Sequence, residues 1–480
     1  MNSIPSFTDV DLGLSRVAVV APAGFGKTET IADIVGRADR RVLVLTHTNA
    51  GVAALQRRMA TKGTAANGCV MTIASWCERW VSSFPETSGY AEFASDETGR
   101  NKADDYYLKV YKAMEKLTGH GWVRKSLFSS YSRVIVDEYQ DCTQSQHSLF
   151  LAISTFLPVL VFGDPLQGIF YWVKDDSIVD WGDLSMEVRV LKGRPHRWEN
   201  CGHPELGSYI LAARKILIPA LHGEPVIFDL GMNCRDVKLI SKDAFNRMNN
   251  WRAWETVAFI TGPPRVQHAY ARKHRGFCSA EPVDNLDSLE FLAGCDELVG
   301  VELASSIIGF MANCCTGIAG EMKSYISRLK SGNFDFSHIR KNQLTGQALM
   351  RLEHENSPAA CLNVIDTMEV ELRSSIRIHR RLLLREAKSA LRIAARESLS
   401  ATDSLEKLRT SYASKDAGRF MRQVSTRTTL AKGLEYDCAI VDAETIKDPR
   451  DFYVAISRCC RHLILVSDNR YLHFKPVATL

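Results

Sequence analysis

The stretch "VAVVAPAGFGKTETIADIV" (17–35) leads from an apolar run through a glycine-containing loop to Lys27-Thr28, where a helix is predicted to open. The apolar run is typical of a strand in a parallel sheet that is covered on both faces. Small residues suit the loop because its backbone N–H groups must surround phosphate oxygens, and the helix N-terminus adds its positive dipole end. We therefore predict a phosphate-binding loop of pattern A-x-x-G-x-G-K-T, with Ala21 in place of the usual first glycine.

This loop supplies the first set of predicted nucleotide-binding residues. Lys27 would reach the β- and γ-phosphates of ATP, and the Thr28 hydroxyl would ligate Mg²⁺. The predicted set from the loop is Ala23, Gly24, Gly26, Lys27 and Thr28. The alternative is a chance glycine-rich turn, but both the strand before the loop and the helix after it fit a phosphate-binding site.

A second stretch, "VIVDEYQD" (134–141), crowds three carboxylates behind another apolar run. Read alone, it is a solvated acidic turn after a strand. Beside a phosphate-binding loop, Asp137 is placed to hold Mg²⁺, and Glu138 is placed to orient and deprotonate an attacking water. The combination predicts a site for nucleotide hydrolysis.

Further apolar runs of strand length predict the fold class. They lie at 42–46, 159–164, 257–260, 438–443 and 463–467. With helical spacing between them, these runs predict an α/β protein with parallel sheets. They fall into two groups, so we predict two α/β domains. The predicted ranges are 1–185 with a small insert at about 81–130, 186–285 together with 421–480, and a helical accessory insert at 286–420.

Composition excludes several classes of protein. The chain has 480 residues, 45% of them apolar and 24% charged, with a net charge of +5. Its thirteen cysteines include no C-x-x-C pair, so we expect reduced thiols in a cytoplasmic protein and neither a zinc site nor a disulfide framework. No signal peptide begins the chain, and no apolar run reaches the roughly 18 residues that span a bilayer. We expect no membrane association.

The D-E-x-Q-D spelling at 137–141 resembles motif II of superfamily 1A helicases of the UvrD/Rep type. Other motifs of that family appear in order along nearly the whole chain outside the two inserts. They are "VLVLTHTNAGVAALQRRM" (Ia, 42–59), "MTIASWCERW" (Ib, 71–80), "FGDPLQGIFYW" (III, 162–172), "RPHRWEN" (IV, 194–200), "TLAKGLEYDCAIVDA" (V, 429–443) and "FYVAISR" (VI, 452–458).

The resemblance implies two RecA-like P-loop domains, each interrupted by a mainly helical insert, with ATP in the cleft between them. It assigns catalytic roles to Glu138, Lys27, Gln167, Arg197 and Arg458, the two arginines acting as arginine fingers. It adds Gly433 and Glu435 of motif V to the nucleotide-binding set. It implies nucleic-acid contacts at Thr46, Thr48, Asn49, Thr72, Trp76, Phe170 and Trp172, with the aromatic rings stacking on bases.

The implied activity is hydrolysis of ATP to ADP and phosphate, coupled to movement along single-stranded or tailed duplex DNA. The family's usual polarity is 3′ to 5′. Arginine fingers can contribute about 10³–10⁵ in rate, and stacking on bases tolerates any sequence. Recognition of DNA would therefore be largely independent of its sequence.

This sequence departs from the family pattern at several positions. Residues 1–20 contain no glutamine, although relatives read adenine with one upstream of the loop. Ala74 and Thr429 replace histidines, and Val173 replaces an arginine. These losses concern nucleotide selectivity, the nucleic-acid side and coupling, so ATP hydrolysis is the firmer expectation and processive unwinding the weaker one.

A narrower resemblance points to the compact UvrD-like subunits that are paired with a nuclease in bacterial anti-phage systems such as Gabija. A second hypothesis follows: a DNA-sensing ATPase that regulates a partner nuclease without unwinding DNA. A third is an RNA-directed member of the same superfamily.

Three other features have both a structural and a functional interpretation. The basic helix predicted at 373–396 is either a solvated face or a surface for a duplex or a partner. Trp251 and Trp254 are either core or interface residues, or base stackers. Cys459 and Cys460 are interpreted as small buried fillers.

Overall fold

The computed structural model describes residues 5–94, 103–170, 176–248, 251, 253–282, 285–412 and 421–477. The chain divides into two compact units, defined here as unit 1 (Met1–Phe245 with Lys432–Leu480) and unit 2 (Asn246–Ala431). In the part of the chain that the structure describes, no helix is both long and apolar enough to cross a membrane.

The N-terminal part of unit 1 is built on a six-stranded parallel sheet. Its strands are β1 (Arg16–Val20), β2 (Val42–Thr46), β3 (Gly68–Thr72), β4 (Arg133–Val136), β5 (Val159–Gly163) and β6 (Glu187–Val190). Their order is β3-β2-β4-β5-β1-β6. Strands β2 and β5 are buried along their whole length, which explains their unbroken apolar sequences. Strands β1 and β4 lie on either side of β5, so their C-terminal loops come close together at one edge.

The helices up to residue 247 include those that flank this sheet, those of the small insert and three that follow the last strand of the sheet. They are α1 (Lys27–Gly36), α2 (Asn49–Thr61), α3 (Ile73–Ser83), α4 (Pro85–Ser88), α5 (Tyr90–Ala94), α6 (Ala103–Thr118), α7 (Gly121–Ser130), α8 (Gln144–Ile153), α9 (His196–Asn200), α10 (Pro204–Leu217) and α11 (Lys242–Arg247). The described part of the segment predicted as a small insert, 81–94 and 103–130, is mainly helical.

The remaining strands are β7 (Val226–Asp229), β8 (Val237–Ile240), β9 (Val257–Thr261), β10 (Cys278–Ser279), β11 (Cys315–Thr316), β12 (Arg377–Ile378), β13 (Gln423–Arg427), β14 (Tyr436–Asp442), β15 (Cys459–Val466) and β16 (Tyr471–Phe474). Each unit contributes three further parallel strands, in the order β14-β15-β8 in unit 1 and β10-β13-β9 in unit 2. Within unit 1, β15 pairs in parallel with β14 and β8. Within unit 2, β13 pairs in parallel with β9 and β10.

Unit 2 also contains the large helical insert. Its helices are α12 (Pro264–Lys273), α13 (Leu286–Glu297), α14 (Gly300–Cys314), α15 (Ile318–Glu321), α16 (Lys323–Lys330), α17 (Gln343–Arg351), α18 (Pro358–Glu371), α19 (Arg381–Glu397), α20 (Ala401–Tyr412) and α21 (Thr428–Ala431); α22 (Pro449–Ile456) belongs to unit 1. The insert has a hydrophobic core of its own, with residues such as Leu292, Ile307 and Leu391 fully buried. An insert of this size can therefore pack without borrowing apolar surface from the sheets.

The predicted fold class is confirmed: the protein is α/β, with two six-stranded parallel sheets flanked by helices, consistent with two RecA-like domains. The predicted domain boundaries stay predictions. Trp251 is 3% exposed and stacks on Trp254 with ring centroids 6.4 Å apart, which agrees with the core interpretation for Trp251. Cys459 and Cys460 are buried in β15, and all thirteen cysteines are free thiols.

Candidate nucleotide site

The predicted phosphate-binding loop lies between β1 and α1. Gly24 and Gly26 have φ angles of +74° and +81°, in the region that L side chains rarely adopt. A Cβ atom on Gly24 would also lie 2.6 Å from the ring of Trp198. Glycine is therefore required at Gly24 for two independent reasons, backbone conformation and space.

The loop is held by residues from motifs IV and VI. The Ala23 N–H donates to the Tyr453 hydroxyl (3.3 Å), and the Arg197 N–H donates to the Gly24 carbonyl (3.3 Å). The Trp198 indole N–H donates to the Cys459 carbonyl (2.8 Å), which fixes the ring that packs on the loop. Distant parts of the sequence thus meet at the backbone that would surround a phosphate.

Lys27, the first residue of α1, forms an ion pair with Glu138 (Nζ to Oε1, 2.7 Å). Burial alone would lower the pKa of the Lys27 ammonium, but the carboxylates of Glu138 and Asp137 outweigh it and raise that pKa. Burial would raise the pKa of Glu138, yet the charges of Lys27 and Lys432 hold it well below its usual range. Both groups are therefore charged at neutral pH. Glu138 has a φ of +57°, a backbone strain of the kind that collects at functional sites.

Asp137 and Thr28 are the predicted Mg²⁺ ligands. Asp137 is 5% exposed, and its Oδ1 accepts the Glu138 N–H (2.9 Å). Burial, together with the like charge of Glu138, raises the pKa of Asp137 to about 6, although the positive charge of Lys27 acts to lower it. A buried carboxylate and a hydroxyl at a helix N-terminus are hard oxygen donors of the kind that Mg²⁺ prefers, so the residues present fit the ion.

Gln140 joins motif II to motif III. Its Nε2 donates to Glu138 Oε2 (2.5 Å), and its Oε1 accepts the Asp164 N–H (3.0 Å). Asp164 is fully buried and accepts hydrogen bonds from Arg214 (2.9 Å) and from the Gln167 side chain (3.1 Å). A change at Glu138 can therefore be transmitted to Gln167 through contacting side chains.

The two predicted arginine fingers differ in their partners. Arg458 is 2% exposed and forms no ion pair within 4.0 Å with any carboxylate among the described residues; its guanidinium donates to Gln167 Oε1 (3.4 Å) and to the Ser457 hydroxyl (2.8 Å). Burial and the nearby charge of Arg197 lower its pKa to about 10. Arg197 instead pairs with Glu435 (2.7 Å), while its Nε is buried with no hydrogen-bond partner in the described chain.

A buried cation without a carboxylate is costly, and an anion brought to Arg458 would reduce that cost. Gly433, also in the predicted nucleotide-binding set, is exposed and left-handed (φ +79°) two residues before Glu435. Motif V therefore contacts both arginines: the Glu435 carboxylate pairs with Arg197 (2.7 Å), and the Leu434 carbonyl accepts from Arg458 (3.5 Å).

Lys432 ties motif V to motifs II and III. Its ammonium lies 2.5 Å from Asp141 Oδ2 and donates to the Gln167 carbonyl (2.7 Å). It also sits 5.0 Å from the centre of the Phe170 ring. Asp141 and Lys432 are both nearly buried, so their charges are poorly screened by solvent.

Sequence reasoning did not single out Lys432, Asp164 or Arg214. Asp164 follows a buried strand as Asp137 does, so the same reasoning could have found it. Lys432 stands directly before Gly433 within a recognised motif, but the neighbouring residues do not indicate which carboxylate it pairs with. Arg214 lies on an ordinary amphipathic helix and has no local signal.

We expect Lys432→Met to destabilise unit 1 by roughly 3–5 kcal/mol, because Asp141 would be left as a buried, unpaired carboxylate. Denaturant unfolding followed by tryptophan fluorescence measures the effect. The double variant Lys432→Met/Asp141→Asn removes both charges and should recover most of the loss. An equal loss in the double variant would show that the methylene stem, and not the ion pair, is responsible.

Four of the predicted nucleic-acid residues have described positions at or near the surface, or at a helix end. Thr48 and Thr72 are the N-caps of α2 and α3, accepting the N–H groups of Gly51 (3.0 Å) and Ser75 (3.1 Å). Asn49 is exposed and Phe170 is half-buried. Trp172 lies outside the described residues.

Thr46 and Trp76 are placed differently from what a nucleic-acid contact requires. Thr46 is 1% exposed at the end of β2, and Trp76 is 2% exposed in the core beneath β3 and β4. A ring in that position cannot stack on a base without leaving the core. The positions of both residues in their motifs had suggested contact with nucleic acid. However, the face of α3 that carries Trp76 packs against the hydrophobic core.

Comparison with known proteins adds to this geometry. A family described as an AAA domain matches residues 10–171. This part of the chain is similar to AAA domains. Such P-loop domains bind nucleotide, typically with Mg²⁺, so the match supports ATP hydrolysis and includes Lys27, Asp137 and Glu138.

The chain is also similar to the Gabija protein GajB of Bacillus cereus (strain VD045), with 39% identity over 67 residues. That stretch covers 14% of this chain and 14% of the relative. Together the two matches support the resemblance to UvrD-like helicases that the motifs carry.

Proposed function

We propose that this protein is an ATP-dependent DNA helicase or translocase of UvrD type that moves 3′ to 5′ along single-stranded or tailed duplex DNA. The observation that carries the proposal is that Arg197 and Tyr453 hydrogen-bond with the phosphate-binding loop, while the buried Arg458 contacts Gln167 of motif III. An ATPase needs cations on the far side of the transferring phosphoryl group, and these arginines come from elements distant in sequence.

The residues have separate duties in this proposal. Lys27 binds the β- and γ-phosphates of ATP, and Glu138 orients and deprotonates the attacking water. A bound Mg²⁺ would supply positive charge to the phosphates, held by Asp137 and Thr28. Arg458 stabilises the charge that develops on the transferring phosphoryl group. Each duty matches the burial and hydrogen bonding of the side chain concerned.

Two side-chain paths support coupling of hydrolysis to nucleic acid. Gln140 connects Glu138 to the Asp164–Gln167 pair, and Lys432 connects Asp141 to the backbone of Gln167. Lys432 also lies near Phe170, which we propose as a base-stacking residue together with Trp172. Thr48, Asn49 and Thr72 are proposed to contact the DNA backbone; we leave Thr46 and Trp76 out of this surface because they are buried.

The similarity to a Gabija protein supports a narrower proposal. We propose that the chain acts in the cytoplasm of a bacterium, in defence against phage, together with a partner nuclease. Thirteen free thiols suit a reducing compartment.

The burial of Trp76 favours a second candidate function, a DNA-sensing ATPase that regulates the partner nuclease without unwinding DNA. Loss of one stacking position weakens the grip on a single strand, since each stack is worth about 1–3 kcal/mol. The replacement of two family histidines by Ala74 and Thr429 points the same way.

ATP turnover with single-stranded DNA, duplex DNA or RNA, together with unwinding of a 3′-tailed duplex, tests these proposals. For a helicase we expect single-stranded DNA to stimulate hydrolysis several-fold and the strands to separate. Strong stimulation without separation supports the sensor. Stimulation by RNA alone would overturn the assignment to DNA.

A further inference from the structure

Arg214, in the last turn of α10, forms an ion pair with Asp164 although it belongs to none of the predicted motifs. Two N–H groups of its guanidinium donate to this carboxylate, Nη2 to Oδ1 (2.9 Å) and Nε to Oδ2 (3.4 Å). Asp164 is fully buried, and the Arg214 side chain is 15% exposed. Two parallel contacts fix the orientation of both groups, which a single contact cannot do.

The second partner of Arg214 is the hydroxyl of Tyr453, on α22. A hydrogen bond joins the guanidinium to this hydroxyl. The same hydroxyl accepts the Ala23 N–H of the phosphate-binding loop (3.3 Å). Tyr453 is fully buried, and burial raises the pKa of its hydroxyl, which therefore stays neutral at physiological pH. Only one side chain thus separates Arg214 from the backbone that would surround a phosphate.

Asp164, the first partner, leads to the predicted arginine finger. The Gln167 side chain donates to Asp164 Oδ2 (3.1 Å), and its Oε1 accepts from the guanidinium of Arg458 (3.4 Å). Arg214 therefore lies between two parts of the candidate site. It reaches the loop through Tyr453, and it reaches Arg458 through Asp164 and Gln167.

Stability alone does not account for a cation at this position. Burial acts to lower the pKa of the Arg214 guanidinium, but Asp164, and then Tyr453, raise that pKa overall. Replacing a buried ion pair by apolar side chains of similar volume is often neutral for stability, or even stabilising. The planar fork of Arg214 supplies something that apolar packing cannot, namely fixed contacts to two separate groups of the site.

We propose that Arg214 is a positioning residue for ATP hydrolysis, which holds the phosphate-binding loop and Arg458 in a fixed arrangement relative to each other. It acts on the loop through Tyr453 and on Arg458 through Asp164 and Gln167. Arginine is required because its donors are spread over a rigid plane, whereas the ammonium of lysine is a single point of charge. The proposal rests on the proposed ATPase activity for its effect on turnover, but the contacts themselves need no nucleotide.

ATP hydrolysis by full-length Arg214→Lys tests the proposal. Lysine keeps a positive charge beside Asp164, so the Tm should change little. The kcat should fall by about tenfold to hundredfold, because misplacing catalytic groups by about 1 Å costs on the order of 10²-fold. The KM for ATP should change much less than kcat, since Lys27 and the loop backbone remain to bind the phosphates. An unchanged kcat would overturn the proposal.

A matched control is Arg235→Lys. It makes the same chemical change in unit 1 at a side chain that is 72% exposed. Both kcat and Tm should equal those of the wild type. A fall of kcat in this control equal to that in Arg214→Lys would contradict a specific role for Arg214.

The path through Tyr453 is tested by a double-mutant cycle. Tyr453→Phe removes the hydroxyl but leaves the ion pair of Arg214 with Asp164, and it should also lower kcat. In Arg214→Lys/Tyr453→Phe the total loss should be smaller than the product of the two single losses, because both changes interrupt the same path. Losses that simply multiply would show that the two residues act independently, against the proposal.

Hydrogen exchange in the absence of nucleotide measures the positioning directly. In Arg214→Lys the segment 21–26 should exchange about fivefold to tenfold faster, because the hydrogen bond of the Ala23 N–H is weakened, while segment 42–46 of β2 should not change. Faster exchange in both segments would indicate general destabilisation, and no change in either would also refute the proposal. If the wild type hydrolysed no ATP, the ATPase proposal would fail, while the exchange data would still decide whether Arg214 positions the loop.

Discussion

ATP turnover is expected to fall by about 10²–10⁴-fold when Glu138 is replaced with Gln, the range that a positioned general base contributes. Gln keeps the shape of the side chain and can still accept the Gln140 hydrogen bond, but it cannot take a proton from water. Lys27→Ala should reduce turnover comparably, because the cation that would hold the γ-phosphate is lost. Steady-state phosphate release with saturating ATP measures both effects.

Two comparisons make the Glu138 result specific. Glu205→Gln makes the same chemical change at an exposed position of α10, away from the site, and should leave turnover unchanged. Binding of a fluorescent ATP analogue should survive in Glu138→Gln, since the phosphate-binding loop is intact. Near-normal turnover in both the Glu138 and the Lys27 variants would contradict the proposed hydrolytic site.

Arg458→Ala is expected to lower kcat by about 10³–10⁵-fold, the contribution typical of an arginine finger. The guanidinium is already buried, it faces no carboxylate among the described residues, and it contacts Gln167 of motif III. Arg458→Lys keeps the charge but not the planar fork of donors, so it should rescue only partly. Single-turnover hydrolysis separates this loss from product release.

The control for Arg458 lies three residues away. Arg461 lies on strand β15, which begins directly after Arg458; it is 55% exposed and pairs with Asp437 (3.3 Å). Arg461→Ala should leave kcat unchanged. If Arg458→Ala raised KM while kcat stayed normal, Arg458 would be a binding residue for the ground state and not a stabiliser of the transition state.

Much of the candidate site could be predicted because its parts are local in sequence. The loop at residues 21–26 needs glycine where the backbone is left-handed, and Asp137 with Glu138 follows a strand whose burial is visible in its own apolar letters. The fold class follows from the same apolar runs. Such features depend on a few neighbouring residues, so one sequence suffices to recognise them.

The partners of charged side chains were much less predictable. Lys432 meets Asp141 across 291 residues of sequence, and Arg214 meets Asp164 across 50. The sequence around a lysine or an arginine does not indicate which carboxylate that side chain will contact. Burial was also not predictable for Trp76. Its position in the motif suggested a ring that stacks on a base, whereas the packing of α3 buries the ring.

The sequence by itself determined the chemistry that is possible at the site: a phosphate-binding loop, two acidic residues behind a strand, and two arginines in recognisable motifs. Only the tertiary structure decided which of these groups meet and which of the two arginines already has a carboxylate. The physical reason is the distance along the chain over which each property is set. Backbone conformation and apolar periodicity are set by near neighbours, whereas burial and ion pairing depend on where distant elements pack.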